Sequence, residues 1–294
     1  MTNRIISIIF TSLLIGAIMP AALAGGGWPQ PKGHGYFKLS QWWVISDQHY
    51  TDTGLKDPNI TSGIFNTSLY AEYGLTNKLT GVVYFPFFSR ALINNVRSAT
   101  TQELITPGDA INSLGDTDIS LKYGIFAKNQ LSVSLTGTLG VPLGIQGGIA
   151  NNLQTGDGEW NQMLQVDAGI SFPIGKINAY ANAYGAFNNR TNGFSDEVRY
   201  GIEAGAPFLK DKLYVIMRLY GITSLKNGTT AGMVNSTSIF ANNSEHLTFS
   251  PELNYFVNKN WGLSANAAIA LRGRIIFSAP AYSAGVFFRL TPNS

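Results

Sequence analysis

Residues 118–172 decide the fold; they contain DISLKYGIFAKNQLSVSLTGTLGV (118–141) and LQVDAGISF (164–172). In both segments an apolar side chain alternates with a polar or small one, as in Ile119 and Leu121 around Ser120. A period of two predicts β-strands with one apolar face and one polar face. Each run has about ten residues, the length of a tilted strand that crosses a membrane.

The connections between these runs differ in length. Ala127–Gln130 is short, whereas Leu143–Trp160 is long and rich in Gly and Asn. Outer-membrane barrels have this pattern, with short periplasmic turns and long extracellular loops. The same alternation along the rest of the chain predicts an all-β fold, an antiparallel up-and-down transmembrane barrel of about twelve strands, whose even number puts both termini in the periplasm.

The composition excludes several other classes of protein. Only 13% of the 294 residues are charged and none is cysteine, whereas about 25% of a soluble domain is charged. The lack of cysteine excludes disulfides and thiolate metal sites, and no clustered basic face suggests a nucleic-acid partner. No internal run reaches the roughly 18 apolar residues of a membrane helix. Alternating strands are therefore the expected contact with lipid.

The N-terminus has the pattern of a secretory signal. Arg4 precedes the apolar run Ile5–Ile18, and Pro20 leads to Ala22-Leu23-Ala24. A basic, then apolar, then small-residue sequence is typical of a cleaved signal peptide. We expect cleavage after Ala24, which divides the chain into a signal peptide, residues 1–24, and an outer-membrane β-barrel, residues 25–294.

The mature chain is close to neutral and begins with a Gly- and Pro-rich segment. Without Arg4 it has 19 basic and 17 acidic residues, a net charge of +2. Gly25–Gly35 is predicted to be a periplasmic lead-in. Aromatic residues near strand ends are expected to form a girdle at the membrane surface, although ordinary β-propensity also explains them. These residues are Tyr73, Phe85, Phe87, Tyr123, Phe172, Tyr200, Tyr255 and Phe288.

The polar faces of the predicted strands carry charges of both signs. A Lys or Arg that faced lipid at the membrane midplane would cost about 2–4 kcal/mol, so this face is predicted to line a hydrated lumen. The alternative is that the charges only fill and rigidify the interior, since about twelve strands enclose a narrow space. The candidate lumen-lining and binding residues are Lys38, Glu72, Asp118, Lys122, Asp167, Arg199, Glu203, Arg218, Glu252 and Arg272.

The sequence gives little support for catalysis or metal binding. His34, His49 and His246 are assigned to the lead-in or to loops, and Ser244 beside His246 does not complete the nucleophile, base and orienting group of a hydrolase. Residues 156–159, Gly-Asp-Gly-Glu, could bind calcium through carboxylate oxygens, but turn formation by Gly and Asp also explains them. We therefore expect no enzyme activity, no metal and no cofactor.

Four segments resemble the outer-membrane family named for the meta-pathway of phenol degradation. They are Glu72–Leu79, Gly115–Asp118, Thr155–Glu159 and Asn182–Tyr200, the last with Asn189-Arg190 and Glu197. The resemblance covers most of the mature chain through short motifs. It implies a barrel that assists the passage of small, often aromatic or hydrophobic molecules, and it supplies no site residues.

The C-terminal Ser283-x-Gly285-x-x-Phe288-x-Leu290 is similar to the signal read by the barrel-assembly machinery, with Leu290 in place of an aromatic residue. The predicted function is passive uptake of small solutes by a monomeric channel in the outer membrane. Its expected partners are the solute, membrane lipid with lipopolysaccharide, and the assembly machinery. The alternatives are a closed structural or adhesive surface barrel and an outer-membrane hydrolase.

Overall fold

The computed structural model describes residues 26–148, 152–229 and 239–292. The predicted signal peptide, residues 1–24, lies outside the described residues. Within the described ranges, no helix is long and apolar enough to cross a membrane. The regular structure described consists of β-strands.

Twelve long strands, counted over the described ranges, follow one another in an antiparallel sheet. This confirms the predicted fold class. The strands are β1 (Gly35–Tyr50), β2 (Lys56–Gly74), β3 (Leu79–Ile93), β4 (Thr117–Lys128), β5 (Leu131–Val141), β6 (Asn161–Ile174), β7 (Ile177–Arg190), β8 (Glu197–Phe208), β9 (Leu213–Ser224), β10 (Glu245–Phe256), β11 (Trp261–Arg274) and β12 (Ala281–Leu290).

The sheet closes on itself through β1. Gly35 lies opposite Tyr73 of β2 on one side and opposite Leu290 of β12 on the other. Each of the other long strands pairs with its neighbours in the chain. Closure gives every strand two partners, so that no row of backbone N–H and C=O groups is left unpaired against hydrocarbon.

The alternation of residue types becomes an alternation of inside and outside. In β5, Ser132 and Ser134 are buried, whereas Leu131 and Leu139 are exposed. Large aliphatic side chains form a similar exposed belt around the barrel, as expected for a surface that meets lipid. Members of this belt are Leu39, Leu69, Val83, Ile119, Leu121, Leu164, Val166, Ile202, Met217, Leu253, Leu263 and Val286.

In β7 the sequence leaves the outer face ambiguous, because Tyr and Asn alternate with Ala and Gly. Tyr180, Asn182 and Asn188 are buried, and Phe187 is exposed. The polar row of β7 therefore faces the interior, and Ala183 and Gly185 of the small-residue row are exposed on the outer face.

The two ends of the barrel differ as predicted. At one end, called the turn end below, the strands are joined by short connections such as 75–78, 129–130, 175–176, 209–212 and 257–260. Asn129, in one of the two-residue connections, has a φ of 57°, a left-handed conformation that Asn tolerates. At the opposite end, called the loop end, lie the long connections 94–116, 142–160 and 225–244.

The alternating pattern of the third strand ends at Phe88 and predicts a loop over Ser89–Asp116. Instead, this range contributes the last residues of β3 and the short strand Asp109–Ser113, which pairs with β3. Val96–Arg97 and Leu104–Thr106 form a further small ladder. Backbone pairing continues beyond the apolar belt because strands in water need no alternating pattern to remain hydrogen-bonded.

Aromatic side chains flank the apolar belt on the outer surface. Near the turn end, the ring of Trp261 packs against that of Phe288 at 4.9 Å between centroids. Towards the loop end, Trp43 and Tyr282 pack at 6.1 Å. Of the predicted girdle residues, Tyr73, Phe87, Tyr123 and Tyr255 are among the most exposed.

Candidate functional site: the barrel interior

A chain of charged side chains crosses the middle of the interior. Arg218 of β9 donates through Nε to Glu203 and through Nη1 to Glu252 at 2.5 Å. Glu252 also accepts from Lys38 of β1 at 3.3 Å, and Glu203 accepts from the hydroxyl of Tyr180 at 2.6 Å. The chain thus joins β1, β7, β8, β9 and β10, and each carboxylate in it has a hydrogen-bond donor.

A second group surrounds Glu72, which is only 1% exposed. Lys122 Nζ lies 4.0 Å from its carboxylate, and the hydroxyl of Tyr70 donates to it. Gln30, from the segment before β1, donates to Glu72 Oε2 at 2.9 Å. A carboxylate this deeply buried requires such donors, because an unpaired charge away from water is strongly unfavourable.

A third group lies at the loop end and is centred on Arg190, whose side chain is 4% exposed. Its guanidinium contacts Asp157 at 3.2 Å, Glu197 at 2.7 Å, and Glu159 through Nε. Arg199 adds a second cation, 2.8 Å from Glu197. One guanidinium therefore joins residues 157–159 to the facing ends of β7 and β8.

Asp116, just before β4, extends this group. Its two carboxylate oxygens accept from the backbone N–H groups of Gly144 at 2.9 Å and Asp157 at 2.7 Å. Burial, together with the nearby charge of Asp157, raises the pKa of Asp116 to about 7. Burial also raises the pKa of Glu159 to about 8, against the attraction of Arg190. Burial in this cluster therefore opposes the ionisation of both acids.

The calcium alternative receives no support from this arrangement. Asp157 and Glu159 use their carboxylate oxygens as partners of Arg190. Within the described ranges, no group of three or more His, Asp or Glu residues is arranged to hold a metal ion.

The remaining predicted residues lie in different surroundings. Asp167 is buried and accepts from Gln165 at 2.9 Å. Asp118 lies beside Gly140 and near enough to Arg199 for electrostatic attraction. Apart from Arg272, the predicted set therefore occupies the inner wall, in three main groups. Whether these residues contact a solute stays a prediction.

Arg272 is misplaced by the sequence pattern. Pairing between β10 and β11 shifts by one residue, so that Thr248 faces Ala270 while Leu247 faces Arg272. Leu271 is the extra residue of this bulge, and a bulge moves the residues that follow it to the other face. Arg272 is consequently exposed on the outer wall and does not line the lumen.

The segment before β1, predicted to be a periplasmic lead-in, lies inside the turn end and packs against the inner wall. Gly27 N–H donates to Asn182 at 2.9 Å, and its carbonyl accepts from Ser132 at 2.7 Å. The Trp28 ring packs edge-on against Tyr180, with 6.1 Å between centroids. A Cβ added to Gly169 would come within 2.4 Å of Trp28, so the glycine makes room for this ring. The segment contacts strands far from its attachment at β1 and narrows the opening at this end.

The interior also contains an aromatic cluster that the sequence analysis did not identify. Tyr36, Phe256 and Phe287 are buried together, and Tyr70 and Tyr214 pack against them. Phe256 and Phe287 are 5.0 Å apart between ring centroids. All five positions share the strand face of the charged residues, so their alternation alone does not distinguish these rings from the polar side chains beside them.

Two of the three histidines lie in strands, contrary to the prediction. His49 is in β1 and His246 in β10. The Nδ1 atom of His246 is 2.9 Å from the Thr248 hydroxyl, and its ring packs edge-on against Tyr220. These contacts are those of a packed side chain and do not join it to the neighbouring Ser244.

Comparison with known proteins identifies the fold. No family model and no curated protein matches the sequence. The structure is similar to that of an outer membrane channel from Pseudomonas putida F1, described as COG4313, with a TM-score of 0.57 and 14% identity over 91% of this chain and 99% of that chain. The chain has the fold of an outer-membrane β-barrel.

Two porins, KdgM and NanC, give weaker similarities. KdgM matches with a TM-score of 0.47 and 9% identity, over 87% of this chain and 99% of that chain. NanC matches with a TM-score of 0.45 and 10% identity, over 87% of this chain and 100% of that chain.

The family-like segments converge in the structure. Gly115–Asp118, Thr155–Glu159 and Asn182–Tyr200 meet at Arg190 and Asp116. The remaining segment, Glu72–Leu79, holds the N-terminal segment, since Gly33 N–H donates to the carbonyl of Gly74 at 2.9 Å. The short motifs are thus more than turn chemistry, because they build two contact sites inside one barrel.

Proposed function

We propose that this protein is a monomeric outer-membrane channel for the passive uptake of small solutes that are aromatic or otherwise apolar. The turn end faces the periplasm and the loop end faces the medium, as in bacterial barrels. The observation that carries the proposal is the mixed inner wall. The chain of charged side chains around Arg218 lies in the same interior as the rings of Tyr36, Phe256 and Phe287.

Such a wall suits molecules with an aromatic or apolar body and a small polar group. Aromatic rings offer stacking and edge contacts to an apolar body. The paired charges can hydrogen-bond the polar group of the solute, and because their signs balance they create little net electrostatic potential in the lumen. A pore selective for strongly charged solutes would instead carry an excess of one sign.

Membership of the phenol meta-pathway family belongs to this proposal. It is supported by the convergence of three family-like segments at Arg190, and it agrees with small aromatic solutes as the substrate class. We infer no chemical reaction: the proposed channel is not an enzyme and needs no cofactor.

A closed structural barrel is the second candidate, and one observation favours it. Trp28 and its neighbours lie inside the turn end, held by hydrogen bonds at Gly27 and Gln30. If these contacts persist in the membrane, the segment seals the barrel.

Flux from liposomes separates the two candidates. Folded protein is reconstituted, and the efflux of benzoate, phenol and a pentose is followed, with protein-free liposomes as the control for direct permeation through lipid. The channel predicts protein-dependent efflux, faster for benzoate than for the pentose. Absence of any protein-dependent flux, together with no conductance in planar bilayers, would establish the closed barrel.

A further inference from the structure

An arginine on the outer wall of a membrane barrel requires an explanation. Arg272 is exposed there, next to Leu271, which is 57% exposed. An arginine at the midplane would cost about 2–4 kcal/mol, falling to about 0–1 kcal/mol near the membrane surface. Arg272 lies two residues from the loop end of β11, so that its guanidinium can reach the headgroup layer above the apolar belt.

Two further cations share the carboxylate of Glu245 at the loop end of β10. Arg274 Nη1 lies 3.6 Å from the carboxylate of Glu245, and Lys226 Nζ lies 3.4 Å from it. Within the described ranges, Arg272 forms no ion pair or side-chain hydrogen bond. Arg274 and Lys226 are thus paired with Glu245, whereas the guanidinium of Arg272 is left available to an anionic ligand.

Arg272, Arg274 and Glu245 border a cavity. It has a volume of about 400 Å³ and is lined by Tyr200 and Thr223 together with Glu245, Arg272 and Arg274. Tyr200 lies over Gly221, where an added Cβ would be 2.9 Å from its hydroxyl oxygen. The missing side chain of Gly221 and the bulge at Leu271 leave space between β9 and β11 on the outer wall.

We propose that this cavity binds the phosphate headgroup of an outer-leaflet lipid, namely the lipid A phosphate of lipopolysaccharide. Guanidinium groups bind phosphate through paired N–H donors, and basic pockets on membrane proteins bind anionic headgroups. Leu271 and the belt below it accommodate the acyl chains, while Tyr200 lies at the surface of the membrane, as interfacial tyrosines do. The inference rests on the proposed outer-membrane orientation.

The test uses the folded barrel in detergent micelles, titrated with bisphosphorylated lipid A and with fully dephosphorylated lipid A. Bound lipid is counted by native mass spectrometry and the thermal unfolding midpoint is measured. We expect the bisphosphorylated form to bind more tightly and to raise the midpoint. Arg272→Ala should weaken its binding about tenfold, the effect of losing a charge-assisted hydrogen bond, and Arg272→Lys should weaken it less. Lys259→Ala, at the turn end, is the matched control and should bind as the unaltered protein does.

Equal binding of both forms of lipid A by the unaltered protein, a comparison that needs no variant, overturns the proposal. So does unchanged binding by Arg272→Ala, or inorganic phosphate that binds as tightly as lipid A, which indicates a free-phosphate site. Conductance and solute efflux are measured separately, so that failure of the channel and failure of the lipid site are distinguishable.

Discussion

At the scale of single residues, Arg190 has the largest predicted effect on stability. Its guanidinium is partner to Asp157, Glu159 and Glu197 in an almost fully buried position. Arg190→Ala leaves these carboxylates without their cation, and breaking a buried ion pair in this way costs about 3–5 kcal/mol. We expect the free energy of unfolding, measured by urea titration in micelles, to fall by this amount. Arg97→Ala, an exposed arginine near the loop end, is the control, and equal stability of the two variants would contradict the prediction.

Asp116 predicts a pH dependence at the loop end. Its pKa is raised to about 7 in the folded loop, so the folded state binds the proton more tightly than an opened loop does. The loop is therefore most stable below the ordinary carboxyl pKa, and this stability is lost as the pH rises towards about 7. For one proton, the equilibrium constant for loop closure falls by at most about tenfold per pH unit. Hydrogen-exchange protection factors of the Gly144 and Asp157 amides, which donate to Asp116, measure the change.

The control for the pH prediction is Asp116→Asn. An asparagine keeps an acceptor for one amide but does not titrate. The pH dependence of protection at Gly144 should then weaken, with Glu159 as the remaining titrating neighbour. Protection in the original chain that rises between pH 4 and pH 7 would contradict the sign of the prediction.

Arg218 tests whether the central charges lie on the ion pathway. Arg218→Glu replaces the cation between Glu203 and Glu252 by a third carboxylate, so the interior becomes net negative at this level. We expect the reversal potential in a KCl gradient to move towards that of the cation, and Arg218→Lys to leave it nearly unchanged. An unaltered reversal potential for a folded Arg218→Glu barrel would place the ion pathway elsewhere.

Single residues also mark the limit of inference from the sequence. Two-residue periodicity places Lys38, Glu72 and Arg218 on the inner wall, because the same parity holds along an unbroken strand. It fails at Arg272, because one extra residue in β11 reverses the parity. The alternation of residues 263–272 does not predict that bulge, which is identified from the register of the pairing with β10.

At the scale of elements, strands are predictable and the N-terminal segment is not. Each strand needs an apolar face towards lipid, and this requirement is visible in the sequence as an alternation of apolar and polar residues. Gly26–His34 has no period, because its position depends on contacts with side chains more than a hundred residues away, such as Ser132 and Asn182. The small residues that receive it, Gly124 and Gly169, are visible in the sequence only as ordinary strand glycines.

One of these glycines provides a test of the N-terminal segment. A methyl group at Gly169 would overlap the Trp28 ring. Gly169→Ala should displace this ring from the wall, at a cost of about 1–3 kcal/mol for overpacking, and release the segment. We expect a higher single-channel conductance and easier proteolysis before residue 35. Gly137→Ala is the matched control, since no atom lies within 4 Å of the added Cβ, and equal conductance of the two variants would contradict a constriction by Trp28.

At the scale of the whole molecule, closure is predicted from the unequal connections and from the need to pair both edges of a sheet in lipid. The contents of the closed interior depend on contacts across it. Tyr36, Phe256 and Phe287 come from three strands and meet only because the sheet closes. The cluster at Arg190 instead joins two consecutive strands, β7 and β8, to residues of a long loop. Local patterns encode which face a residue takes, and closure decides which residues become neighbours.

The prediction that the apolar belt faces hydrocarbon is tested by placing an arginine either in the middle of the belt or at the turn end. Val166, near the middle of β6, is 49% exposed on the outer belt, and Leu209 is 66% exposed in a connection at the turn end. In lipid, Val166→Arg should lower the free energy of unfolding by about 2–4 kcal/mol and Leu209→Arg by about 0–1 kcal/mol, because hydrocarbon at the midplane cannot solvate the guanidinium while the membrane surface can. Chemical unfolding in bilayer vesicles measures both. Equal values would mean that the apolar belt does not face hydrocarbon. A folded Val166→Arg protein that is soluble without detergent would contradict the membrane-spanning barrel itself.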